Sequence, residues 1–136
     1  MSVVNQQPRQ KWWADIHYFA PSEFDSPDVP NSGEKYMNEA FVKKLNTLRG
    51  LLKVPLIITS GYRTATYNNK IGGAPHSQHL KGLAADVAIA GEDAFKLVGL
   101  AYTLGFTGIG ISQKGLWDKR FIHLDLRTSE PRIWSY

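Results

Sequence analysis

The stretch SQHLKGLAAD, residues 77–86, sets a histidine and an aspartate seven positions apart, and FIHLDLR, residues 121–127, adds a second histidine. His79, Asp86 and His123 together offer two imidazoles and one carboxylate. That donor set suits a catalytic zinc, with the fourth position left to water. The chain contains no cysteine, so a tight transition-metal site must be built from nitrogen and oxygen. Each residue alone also has an ordinary reading. A strand histidine is usually a hydrogen-bonded core residue, and an aspartate in an apolar run often caps a turn.

Working outward, LAADVAI (83–89) reads as a strand, and Gly82 before it supplies the reversal that a loop-to-strand ligand pair needs. Glu92–Leu104 reads as an amphipathic helix with Phe95, Val98 and Tyr102 inward and Gly105 as its stop. FTGIGIS (106–112) and RFIHLDLR (120–127) read as two strands joined by a polar turn. Alternation puts Phe121, His123 and Asp125 on one face and Ile122, Leu124 and Leu126 on the other.

Upstream, Met37, Phe41, Leu45, Leu48 and Leu52 recur at steps of four, four, three and four, which predicts a helix over Tyr36–Leu52 ended by Pro55. PLIITS (55–60) predicts a buried strand that delivers Arg63 at its end, and 64–78 a long loop with room for a short helix. Trp12, Trp13, Ile16, Tyr18 and Phe19 predict one wall of the core, with His17 structural among them. Residues 1–11 read as a loose lead-in and Pro21–Gly33 as a loop with Ser22 as a cap. The fold class expected is α+β: a small, mainly antiparallel sheet with flanking helices, in a single domain over 1–136.

The 136 residues carry a formal charge of +4 with a pI near 9.4. That balance favours anionic partners, but no Lys/Arg cluster is dense enough for a nucleic-acid arm. No window approaches the roughly 18 apolar residues of a membrane span. The start, MSVVNQQPRQKWW, lacks the apolar core of a secretory signal, so synthesis in the cytoplasm without a signal peptide is expected. A monomer is expected.

Four segments, HYFAPSEF, PLIITSGYRT, SQHLKGLAADV and GIGISQ with FIHLDLR, occur in an order that resembles the zinc D-Ala-D-Ala peptidase family. That family comprises D,D-carboxypeptidases, murein endopeptidases, D,D-dipeptidases and phage endolysins. Its pattern S-x-H-x-x-G-x-A-x-D is met by Ser77, His79, Gly82, Ala84 and Asp86. The resemblance implies the fold shared with the Hedgehog signalling domain, and one zinc ion held by His79, Asp86 and His123. It implies an arginine beside the metal at Arg63, where a fixed guanidinium can stabilise an oxyanion.

Ser77 and Tyr62 are expected to bind substrate, with Tyr67 and Asn68 as further cleft candidates. Many relatives place a proton acceptor three residues before the last histidine ligand. Here that position is Arg120, which cannot accept a proton. Asp125 is the local substitute as general base, with orientation of a ligand histidine or of Arg63 as its alternative role. Asp118 and His76 are further candidates. The function implied is hydrolysis of peptide bonds in peptidoglycan stems, with an endolysin-type lysis enzyme released through a holin as the finer reading. The rivals are a D,D-carboxypeptidase or dipeptidase on small soluble peptides, and a non-catalytic zinc-containing wall-binding or virion module.

Overall fold

The computed structural model describes residues 10–136. Five strands form one sheet in the order β1-β2-β4-β3-β5: β1 (Ile57–Ser60), β2 (Ala84–Ala88), β3 (Gly108–Ser112), β4 (Phe121–Asp125) and β5 (Arg132–Ser135). Every pairing is antiparallel except β3 with β5, which is parallel. Among the described residues four α-helices accompany the sheet: α1 (Ser32–Tyr36), α2 (Glu39–Leu52), α3 (Ala65–Lys70) and α4 (Gly91–Leu104). The architecture is the α+β arrangement expected.

Period-two alternation divides the sheet into a core face and an open face. Ala85 and Val87 of β2, Ile109 of β3, and Ile122 and Leu124 of β4 are buried against α2 and α4. From α2 come Phe41, Val42, Leu45, Leu48 and Leu52, the stripe anticipated from spacing. The helix begins at Glu39 rather than Tyr36, because the Asn38 side chain accepts from the Phe41 N–H at 3.0 Å and caps it. Met37 adopts extended backbone and separates α1 from α2.

Some expectations are corrected. The inner face of α4 is Ala94, Leu97 and Ala101, with the expected Val98 half-buried against the same core, whereas Phe95 and Tyr102 are 81% and 80% exposed. Both sets share helical spacing and differ by a rotation of one residue; the small alanines let α4 lie close against α2 and β4. β1 is a sheet edge, not a buried strand, with Ile57 exposed. His17 and Tyr18 are exposed, while Trp13 and Phe19 enter the core beside Phe24. Ser22 caps nothing: the 3₁₀ turn Pro21–Phe24 is closed by Glu23, whose carboxylate accepts from the Ala20 N–H at 2.7 Å. Of the lead-in, residues 1–9 lie outside the described residues, and Lys11 already opens a 3₁₀ turn, Lys11–Asp15.

Strand β5 was not anticipated. It is seated by the glycines of β3, for Gly108 pairs with both Asp125 and Arg132, and Gly110 with both His123 and Trp134. A Cβ on Gly110 would stand 2.6 Å from the Trp134 ring, and one on Gly108 would collide with the Asp125 carboxylate. The bare β3 backbone therefore lets side chains of β4 and β5 meet across it, and the His123 and Trp134 rings lie 5.1 Å apart. Gly110→Ala is expected to displace Trp134 and cost about 1–3 kcal/mol, as overpacking does. Urea unfolding monitored by tryptophan fluorescence checks this, and an unchanged midpoint would refute the close-packing account.

Candidate metal centre

Cross-strand register brings the first two ligand candidates together. Asp86 of β2 is the direct antiparallel partner of His123 of β4, so both side chains stand side by side on the open face. His79 arrives from the 3₁₀ turn Gln78–Lys81, which Ser77 caps: its Oγ accepts from the His79 N–H at 3.2 Å. Gly82 ends that turn at φ +68°, a left-handed conformation that glycine adopts without strain, and a Cβ there would strike the Tyr36 carbonyl oxygen. The reversal swings His79 over Asp86.

The donor atoms of the three residues lie within 4.8 Å of one another. His123 Nδ1 is 2.9 Å and His79 Nε2 is 3.3 Å from Asp86 Oδ1. Tetrahedral donors on zinc, at bonds of roughly 2.1 Å, stand roughly 3.4 Å apart, so the trio fits that ion. The outer ring nitrogens strengthen the fit. His79 Nδ1 lies 2.7 Å from the Gly61 carbonyl oxygen, and His123 Nε2 lies 2.7 Å from Asp125 Oδ2. Each imidazole thus donates outward and turns its free nitrogen toward Asp86, the arrangement that fixes tautomer and basicity in metal-ligating histidines.

Electrostatics at the centre follow from these contacts. With no ion bound, the ring nitrogens facing Asp86 can carry protons toward it. Burial would raise the Asp86 carboxyl, but those hydrogen bonds from His123 and His79 outweigh it and hold it far below the usual carboxylate range. Burial likewise opposes charge on His123, yet the carboxylates of Asp125 and Asp86 raise its pKa overall. Asp125 is fully buried, and bonds from His123 and Arg127 overcome the cost of burial and bring its pKa down to about 2. Its oxygens are taken by His123 Nε2 and by the Arg127 guanidinium at 2.7–3.0 Å. With no exposed surface, Asp125 is placed to clamp His123 rather than to meet a water, the second of the two roles weighed for it.

Arg63 follows β1 and is held at three points: Nε to Ser60 Oγ at 3.0 Å, Nη1 to Asn68 Oδ1 at 3.2 Å and Nη2 to Asp86 Oδ2 at 3.3 Å. The trio and Arg63 border one open cleft of about 860 Å³. The loop 72–78, including His76 and Ser77, forms one wall, and Trp134 and Tyr136 of the β5 end form another. Tyr62 does not line it: its ring stacks on Tyr36, centroids 5.0 Å apart, so the substrate-binding role expected of it lacks the position. Asn68 is a brace, donating to the Ala74 carbonyl while holding Arg63. Tyr67 is likewise outside the cleft, Asp118 is exposed on the 3₁₀ turn Trp117–Lys119 and does not line it, and Arg120 bonds the Gly115 carbonyl. Arg127, Trp134 and Tyr136 were missed. Alternation in FIHLDLR, continued past Asp125, could have signalled Arg127, and the alternation R-x-W-x-Y over 132–136 could have signalled Trp134 and Tyr136.

Asp125→Asn tests the clamp. In the metal-free protein a carboxyl held at about 2 supplies stability that is full above the unfolded pKa of about 4 and lost as pH falls through its folded value, on the order of 2 kcal/mol. The variant should lose that acid limb, be less stable near neutrality by about 3 kcal/mol because Arg127 is left without its partner, and bind zinc about 10–100-fold more weakly. Urea melts across acid pH and a chelator competition check this; unchanged zinc affinity would exclude a role through His123.

A protein-family model described as Peptidase M15 matches residues 20–125. The chain is 33% identical over 82 residues to a zinc D-Ala-D-Ala carboxypeptidase of Streptomyces albus G, covering 60% of this chain and 31% of that protein. It is 32% identical over 111 residues to a probable peptidoglycan L,D-endopeptidase, MepK, of Haemophilus influenzae, covering 78% of this chain and 53% of that protein. The chain therefore spans about a third to a half of the length of these relatives. With the matched region running from the Phe24 core through both ligand strands, the chain belongs to the peptidase M15 family.

Proposed function

We propose that this chain is a zinc metallopeptidase that hydrolyses peptide bonds in the stem peptides or cross-links of peptidoglycan. The observation that carries the reading is the trio His79, Asp86 and His123, with both outer imidazole nitrogens braced and Arg63 tied beside it in an open cleft. The names of the two relatives, a zinc carboxypeptidase and a peptidoglycan endopeptidase, support the metal and the substrate class. Zinc in such a trio supplies Lewis acidity, which activates water and polarises a carbonyl.

The chain's own residues supply the rest. Arg63, immobilised by Ser60, Asn68 and Asp86, holds positive charge at the cleft floor, where an oxyanion develops as a peptide carbonyl is attacked. Asp125 keeps His123 in the tautomer that leaves Nδ1 free. His76 is the imidazole on the cleft wall outside the trio, and we assign it the proton transfer from water to the leaving amine. Ser77 shapes the 3₁₀ turn that carries His79 and faces the same cleft, within reach of a substrate polar group. A lysis role of the endolysin type is supported by the +4 charge, which favours adsorption to anionic wall polymer.

Mass spectrometry of sacculi digested by the purified protein tests the reading. New amine termini should appear, vanish with a chelator and return with zinc. Cleavage of free D-Ala-D-Ala with sacculi untouched would instead assign a dipeptidase. Wall binding without any cleavage would leave a non-catalytic module. Arg63→Ala should lower kcat about 100- to 1,000-fold, the loss typical of an oxyanion donor. His76→Ala should lower it by at least about 100-fold with zinc content unchanged; full activity in that variant removes His76 from proton transfer.

A further inference from the structure

Three arginines line the cleft: Arg63, Arg127 and Arg132. Two are committed. Arg63 is bound to Ser60, Asn68 and Asp86, and Arg127 is bound to Asp125 while its guanidinium lies 4.9 Å from the Trp134 ring centroid. Arg132 differs. It is exposed, its backbone N–H donates to the Thr107 carbonyl at 2.8 Å, and among the described residues its side chain makes no hydrogen bond or ion pair. The acidic side chain on the cleft lining is Asp86, already engaged by His79, His123 and Arg63. Among the described residues the cleft lining thus presents an uncommitted guanidinium and no uncommitted carboxylate side chain to neutralise it.

Its place along the strand is fixed by register. Trp134 lies across Gly110 from His123, and so stands level with the metal ligands. Arg132 lies across Gly108 from Asp125, one pleat repeat further along β5. Side chains two apart on a strand are separated by about 7 Å, and an extended peptide advances about 3.3–3.6 Å per residue. On the other side of Trp134, Tyr136 packs on Phe121 at 5.0 Å, so the aromatic surface ends in a cation at one side only.

We propose that Arg132 is a specificity residue that holds a free carboxylate of the substrate peptide, about two residues from the bond cleaved. The inference rests on the peptidase reading above and deepens it: the substrate is an acidic peptide, oriented by a charge-assisted pair at the Arg132 end of the cleft. A guanidinium suits this task because its planar fork meets both carboxylate oxygens.

The test uses a set of soluble stem peptides with free carboxylates, and the same peptides with each carboxylate in turn converted to a carboxamide. Steady-state kinetics and calorimetric binding are measured with the zinc-loaded wild type, Arg132→Ala and Arg132→Lys. Wild type should lose about 10- to 100-fold in kcat/KM, mainly through KM, when one particular carboxylate is amidated, the range expected for a hydrogen bond to a charged group. Arg132→Ala should show that loss on the acid peptide and no longer distinguish acid from amide, with Arg132→Lys in between. Calorimetry should show the same loss of discrimination independently of turnover. If Arg132→Ala keeps the wild-type preference for the acid, the anchor is refuted while the peptidase reading stands. If wild type neither cleaves nor binds any of these peptides, the peptidase reading itself falls and takes the anchor with it.

Discussion

The direct pairing of Asp86 with His123 across β2 and β4 is the constraint on which the site depends. A carboxylate and an imidazole meet on a sheet face only if the register is right to the residue, since a one-residue slip of either strand would turn its donor into the apolar core. The register is held from the other side of the sheet, where Ala85, Val87, Ile122 and Leu124 are buried under α2 and α4. The hydrophobic packing that stabilises the fold is thus the same interaction that aligns the donors. His79 is added by a reversal at Gly82 that closes against Tyr36 and Asn38, tying the third donor to the helical layer.

Around this pair the protein spends most of its buried polarity. Gly61, Asp125, Arg127, Ser60 and Asn68 each bind a donor residue or the arginine beside it, and none of them needs to touch a substrate to matter. Buried ionic groups of this kind are costly unless fully paired. Here Asp125 is satisfied by an imidazole, a guanidinium and the Arg127 backbone N–H. Such a network holds the trio in its geometry before any ion arrives.

Much of this was legible in the chain because local rules and the fold agree. The spacing of Phe41, Leu45, Leu48 and Leu52 gave α2, and alternation in FIHLD gave the facing of His123 and Asp125. Position 125 was legible, but its depth was not, because alternation says which face a residue takes and nothing about what covers it. The cover comes from Arg127 and from the bare backbone of Gly108. α4 was misread because two stripes of equal spacing compete on it, and close approach favoured the alanines over the aromatics. β5 escaped notice because RIWS is short, follows Ser129 and Pro131, and owes its order to a parallel partner more than 20 residues earlier. Tyr62 looked available in sequence, and only its stacking on Tyr36 removes it from the cleft.

The parallel seating of β5 against β3 has a practical corollary. The backbone N–H of Tyr136 donates to the Ile111 carbonyl, and its ring borders the opening into the cleft. Trp134 sits on the same strand, so loosening β5 from β3 would move this whole aromatic wall and reshape the cleft without touching a metal-ligand candidate.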